Sequence, residues 1–166
     1  MTEVTPRLGF PLLACGQAQK EITHNEALTL ADILVQAIVQ AVAPAAIPPS
    51  PQPGQCWIVG TGAAGAWAGR DNAIACWTEN GWRFTPSQPG MRVWSLADGL
   101  EAVRTASQWV LGRLDAEALR IGGVQVVGSR QPAIPDVTGG NAADMEVRVA
   151  VGAILHVLRT HGLIEA

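Results

Sequence analysis

The stretch LLACGQAQKEITHNEALTLADILVQAIVQAV, residues 12–42, decides how the rest of the chain is read. From about Thr23 its apolar residues recur at helical spacing. Leu28, Ala31, Val35, Ile38 and Val42 form one stripe, and Leu30, Leu34, Ala37 and Ala41 form a second beside it. Asn25, Thr29, Asp32, Gln36 and Gln40 line the remaining face. Thr23 followed by Glu26 has the spacing of a capping box, in which a hydroxyl and a carboxylate satisfy two free N–H groups reciprocally. The expectation is one amphipathic helix running to about Ala43. Two apolar stripes on ~20 helical residues need cover, and the chain offers few other long helices. Copies of the same chain are therefore expected to supply it.

Outward from this stretch the period changes. Residues 1–15, with Pro6 and Pro11, read as an extended arm, either laid across a neighbour or loosely tied. Pro44 to Gly54, PAAIPPSPQPG, carries five prolines and reads as a stiff extended spacer. Beyond it come short apolar or alternating runs at 55–60, 73–78, 82–85, 91–95, 101–105 and 107–112, separated by turn signals. Asn80-Gly81, between two Trp-bearing runs, predicts a hairpin with positive φ at both residues. The spacing predicts an antiparallel meander of five or six strands, with 96–105 open to a helical turn instead. Arg113 to Arg120 reads as a short helical connector, 119–127 as a strand bent at a glycine pair, and 129–140 as loop.

Ala142 to His161 reads as a second helix, with Asp144 and Glu146 near its start and Arg159 and His161 near its end, as the macrodipole favours. Gly162 is placed to terminate it. Val147, Val151, Ile154 and Leu158 form a heptad-like stripe, too short to hold a coiled coil without help. The fold class is thus α+β, divided as 1–43 arm and oligomerisation helix, 44–54 spacer, 55–112 β module, 113–141 connector and strand, and 142–166 C-terminal helix. A homo-oligomer about a rotation axis, most simply a trimer, would bury both helices.

Several elements resemble a known family. Pro11, Gln17-Ala18-Gln19-Lys20, Thr23 and Asn25-Glu26-Ala27-Leu28 are similar to the opening signature of a domain-of-unknown-function family. That family is encoded in tail and fibre regions of phages, prophages and gene transfer agents, mainly in alphaproteobacteria. GQCWIVG at 54–60, GAWAG at 65–69, GWRF at 81–84 and the end of the chain from Gly122 through Ile164 also match. The resemblance implies a structural or adsorption part of a phage-like particle, with other particle proteins as partners. It brings no known activity and no catalytic residues.

Composition narrows the alternatives. A chain of 166 residues with 48% hydrophobic and 15% charged residues folds. A net charge of −3, with basic residues scattered singly, argues against general nucleic-acid binding. No apolar run reaches the ~20 residues of a membrane span. The N-terminus lacks the basic, apolar and small-residue pattern of a Sec signal, so synthesis in the cytoplasm and exit within a particle are expected. Three cysteines, Cys15, Cys56 and Cys76, favour free buried thiols, although Cys56 and Cys76 each precede a Trp and could face one another across strands.

Candidate sites compete with plain structural roles. Gly60-x-Gly62-x-x-Gly65 spells a dinucleotide fingerprint, but no helix follows to hold a pyrophosphate, so a hairpin loop is expected and no cofactor. The six Trp residues, against no Tyr and two Phe, are mainly expected to fill the β core. Trp67, Trp82 or Trp94 could also stack on a sugar, making a host-surface glycan the alternative ligand. Asp71, Glu79, Asp98 and Glu101 lie near the aromatics, but a glycosidase needs two carboxylates set across a cleft, and no enzyme is expected. His24 has no second ligand at metal-binding spacing, and His156 and His161 are poorly aligned for one. Gln17, Gln19, Lys20 and Asn25 are expected to hydrogen bond a loop or a neighbouring subunit.

Overall fold

The computed structural model describes residues 3–14, 16, 20–134, 136, 144–160, 163 and 164. They fall into two units, Met1–Leu114 and Asp115–Ala166.

Helix α1 spans Lys20–Leu34, so it starts earlier and stops earlier than its periodicity predicts. Thr23 lies inside the helix and cannot cap it, and Gln17 and Gln19 lie outside the described residues. Termination has a visible cause. Gln36 takes a left-handed φ of 49°. The Arg7 guanidinium donates to the carbonyl oxygens of Asp32, Ile33 (3.1 Å) and Gln36 (2.9 Å), which the helix would otherwise leave unpaired. Asn25 does hydrogen bond loop backbone, its amide bracketing Leu13 with one bond to the N–H (2.9 Å) and one to the C=O (3.0 Å).

The remainder of the expected helix is extended. Strand β1, Ile38–Val39, pairs in parallel with β5, Arg92–Ser95. The same run then accepts and donates along β2, Cys56–Ile58: Gln40 N–H to Cys56 O (2.7 Å), Ile58 N–H to Ala41 O (3.2 Å) and Ala43 N–H to Ile58 O (3.0 Å). Ile38, Val39 and Val42 are β-branched and fit a half-buried pleat, and Val39 is fully buried.

The β module is therefore two sheets rather than one meander. One is β2–β3–β4, with β3 Ile74–Thr78 and β4 Gly81–Thr85. The other is β1–β5–β6–β7, with β6 Leu100–Arg104 and β7 Trp109–Leu111. Residues 96–105 form turn and strand, not a helical turn. In the β3–β4 hairpin Thr78 pairs with Gly81, so the turn residues are Glu79 and Asn80. Gly81 alone takes the positive φ (96°), and Asn80 does not.

Between the sheets Cys56, Ile58, Ile74, Cys76, Val93, Ala102 and Trp109 make one core, closed by Ile33 of α1 and Val39. The opposite face of β2–β3–β4 carries a second core around Trp57, Val59, Trp67 and Ala75. Ile47, from the proline-rich stretch, packs on this second core. The expected spacer thus lies inside the first unit and covers a sheet face.

In the second unit, β8 (Leu119–Ile121) and β9 (Val124–Val127) form a hairpin whose two-residue turn is Gly122-Gly123, with φ of 57° and 81°. The glycine pair expected to bend one strand instead separates two. The expected helical connector at 113–120 is not helical. Helix α2 spans Met145–Thr160, and the Asp144 carboxylate caps it by accepting the Val147 N–H (3.1 Å). Gly162 and His161 lie outside the described residues.

Candidate functional site

Trp82 is the hub of the second core. Its ring meets Trp57 at 5.7 Å, Trp67 at 5.2 Å and Trp77 at 5.0 Å, all edge-to-face, and stacks near Phe84 at 6.5 Å. Strand alternation puts these residues together: Trp57 opposes Ala75, and the Trp77–Trp82 and Ala75–Phe84 pairs share that face. Trp67, on a short 3-10 turn at Gly65–Trp67, is 2% exposed and closes the cluster. Trp67 is thus buried, and Trp82 is half-buried among the other three indoles. Trp94, on β5, is 46% exposed.

Trp94 lies on a shallow groove of about 360 Å³ lined also by Gln36, Ala37, Ile38, Arg92 and Glu101. Ile38 and Glu101 are its register neighbours on either side. Arg92 and Glu101 form an ion pair at 2.5 Å. A larger cavity of about 670 Å³ lies between Ala43–Ile47 and the glycine-rich loop 60–65, walled mostly by small residues together with Ile47 and Trp67. That loop is held by the Gly62 N–H donating to Asp71 (3.0 Å) and leads into the 3-10 turn, so it opens no helix for a dinucleotide.

The other carboxylates have local duties. Asp98 accepts from the Ser95 hydroxyl (2.5 Å), Glu101 is paired with Arg92, and Glu79 sits in the β3–β4 turn. His24 and His156 are exposed on their helices. Among the described residues no three His, Cys, Asp or Glu side chains converge on a metal position. No helix among them is long and apolar enough to cross a membrane.

Cys56 and Cys76 are directly opposed across β2 and β3, buried, and both free. Their mutual hydrogen bond, then burial, pushes the Cys56 thiol far above its usual range, and the same bond draws Cys76 down.

The predicted oligomer residues divide. Leu28, Leu30 and Ala31 are half-buried, Leu34, Val35 and Ile38 are exposed, and Val42 packs on the first core. On α2, Val147 (55%) and Ile154 (58%) are exposed, and Val151 and Leu158 are half-buried. Sequence reasoning missed that Ala150 and Val157 complete the exposed stripe, and that the β8–β9 hairpin is open too. Leu119, Ile121, Val124 and Val127 share its apolar face, with Arg120 and Gln125 on the other, a division legible once the turn is placed at Gly122-Gly123.

Residues 24–110, over half of the chain, match a family described as protein of unknown function (DUF2793). The chain belongs to the DUF2793 family. No curated protein matches it. The DUF2793 segment begins inside α1 and ends within β7, so it takes in both sheets and both cores. The exposed α2 stripe and the β8–β9 hairpin lie outside the matched DUF2793 residues.

Proposed function

We propose that this DUF2793 chain is a non-enzymatic structural component of a phage-like particle or gene transfer agent, a fibre, spike or adaptor base, assembled as a homotrimer. Its second unit joins the copies, and its first unit is the folded body that meets other particle proteins or a host surface. The observation that carries the reading is the surface of the second unit. Among its described residues only Leu155 and Ile164 are buried hydrophobics, while α2 and the β8–β9 hairpin leave apolar faces in water. A lone two-stranded hairpin and a lone 16-residue helix are each marginal in water, so such a unit needs partners to be stable.

Identical copies fit the pattern on α2. Val147, Ala150, Ile154 and Val157 follow the 3-4-3 spacing of a coiled-coil seam, and three of the four are β-branched, spread over both seam positions, a pattern that leans toward three or four strands over two. A standard interface takes about 800 Å² from each partner, within reach of α2 and the hairpin together. The particle context is supported by the likeness of the 17–28, 54–60, 65–69 and 81–84 motifs to phage and gene-transfer-agent proteins.

Native mass measurement tests the assembly: three times 17.4 kDa is expected, and a folded single chain at micromolar concentration overturns it. Peptide mass spectrometry of particles purified from the producing cells tests the location. Absence of the chain from intact particles overturns that part.

A further inference from the structure

We infer that the Trp94 groove is a binding subsite for a neutral hexopyranose oligosaccharide. Of the three tryptophans with a case for sugar stacking, Trp94 is the most open, 46% exposed on β5, whereas Trp67 is 2% exposed and Trp82 half-buried. A pyranose needs such an aromatic plane for its C–H face and fixed donors and acceptors for its hydroxyls. The groove supplies both. Arg92 and Glu101, locked together at 2.5 Å, set a donor and an acceptor on the same lining as the indole. Their charges cancel, which disfavours an acidic sugar. The volume of about 360 Å³ lies within the range of small-ligand sites.

Gln36 is the second, independent observation. It closes α1 with a φ of 49°, where glycine would be unstrained. It also lines this groove. Strained non-glycine residues gather where a side chain is required, and here the residue lines the same groove as the Trp94 indole. Ile38, the register partner of Trp94 and 40% exposed, lines the same groove and would shield one edge of the ring from water.

The site does not depend on the trimer or on the particle, so each can fail without the others. The test is titration of the full chain with cellohexaose, maltohexaose and mannohexaose, followed by the ¹⁵N indole signal of Trp94. Sialyllactose and a hexamer of galacturonic acid serve as acidic probes. At least one neutral hexamer is expected to bind, with Trp94→Ala weakening it tenfold or more and leaving the melting temperature within a few degrees. Gln36→Gly is expected to raise the melting temperature and weaken the same sugar. Silence from all three neutral hexamers overturns the inference, as does binding only of the acidic probes. Binding that survives Trp94→Ala also overturns it. A change of native mass in Trp94→Ala without sugar binding would assign the face to protein contact and overturn it too.

Discussion

Arg7 and Asp32 hold each other through four different atoms. The Asp32 carboxylate accepts the Arg7 backbone N–H (3.0 Å), and the Arg7 guanidinium donates to the Asp32 carbonyl oxygen. The same carboxylate accepts the Leu8 N–H (2.6 Å) and the Thr5 hydroxyl (2.8 Å). A carboxylate 2% exposed is thereby satisfied entirely by the N-terminal arm. The arm is pinned to α1 and caps it.

Replacing Asp32 should therefore release the arm and the helix end together. Asp32→Ala is expected to cost about 2–4 kcal/mol, since several hydrogen bonds to a buried charge are lost at once. Denaturant unfolding measures the loss, and limited proteolysis should cut near residues 5–10 in the variant only. A stability change under about 0.5 kcal/mol, the size of an ordinary surface substitution, would show that the arm is an ornament on a body that stands without it.

The tryptophans separate by environment. Trp82→Ala removes the ring that three other indoles contact and should cost about 3–5 kcal/mol. Trp94→Ala, on an exposed strand face, should cost under about 1 kcal/mol. Thermal melts of the two variants side by side decide the matter, and equal losses would contradict the packing described for Trp82.

How much of this was legible beforehand depended on whether one period had a rival. Strands β3 to β7 carry alternation bounded by Asp71-Asn72, Asn80-Gly81, Pro89-Gly90 and Asp98-Gly99, and their positions follow from those signals to within a residue or two. Residues 35–42, VQAIVQAV, satisfy a helical period and also suit a β-branched strand. Two long-range facts settle it: β2 and β5 both offer backbone partners, and Arg7, some 30 residues upstream in the chain, closes the helix at Leu34. Neither is local, so periodicity could not reveal them. The burial of Trp67 was equally hidden, because an aromatic residue in a glycine-rich loop reads the same whether it faces water or folds back on a sheet.

The buried thiol pair makes a chemical prediction. Cys56 and Cys76 face each other in a dry core, where the neighbouring thiol and burial hold the Cys56 thiol protonated, so the folded pair keeps a proton that the unfolded chain releases above about pH 8.5. A group raised in the folded state adds stability below its unfolded pKa and loses it as pH climbs, so stability should fall on the alkaline side. The double variant Cys56→Ala, Cys76→Ala should flatten that limb in denaturation measured between pH 7 and 10. In the unaltered protein, alkylation of both thiols at pH 8 should be slow until denaturant is added. Rapid labelling of the folded chain would mean that the core opens far more readily than its packing implies.

Helix α2 carries the prediction on which assembly turns. Ile154 is 58% exposed and lies on the seam side, whereas Leu155, one residue on, is 5% exposed. Adjacent residues on a helix point about 100° apart, so the two substitutions probe different contacts in one element. Ile154→Asp puts three charges together at a trimer axis and should lower the native mass to that of a single chain, while leaving the α1 and two-sheet unit folded. Leu155→Ala should destabilise the second unit by about 2–4 kcal/mol in any assembly state, as a buried large-to-small change does. Circular dichroism and native mass, read together, separate the outcomes. An Ile154→Asp protein that stays trimeric would move the contact between copies off this face of α2 and onto the hairpin or the exposed end of α1.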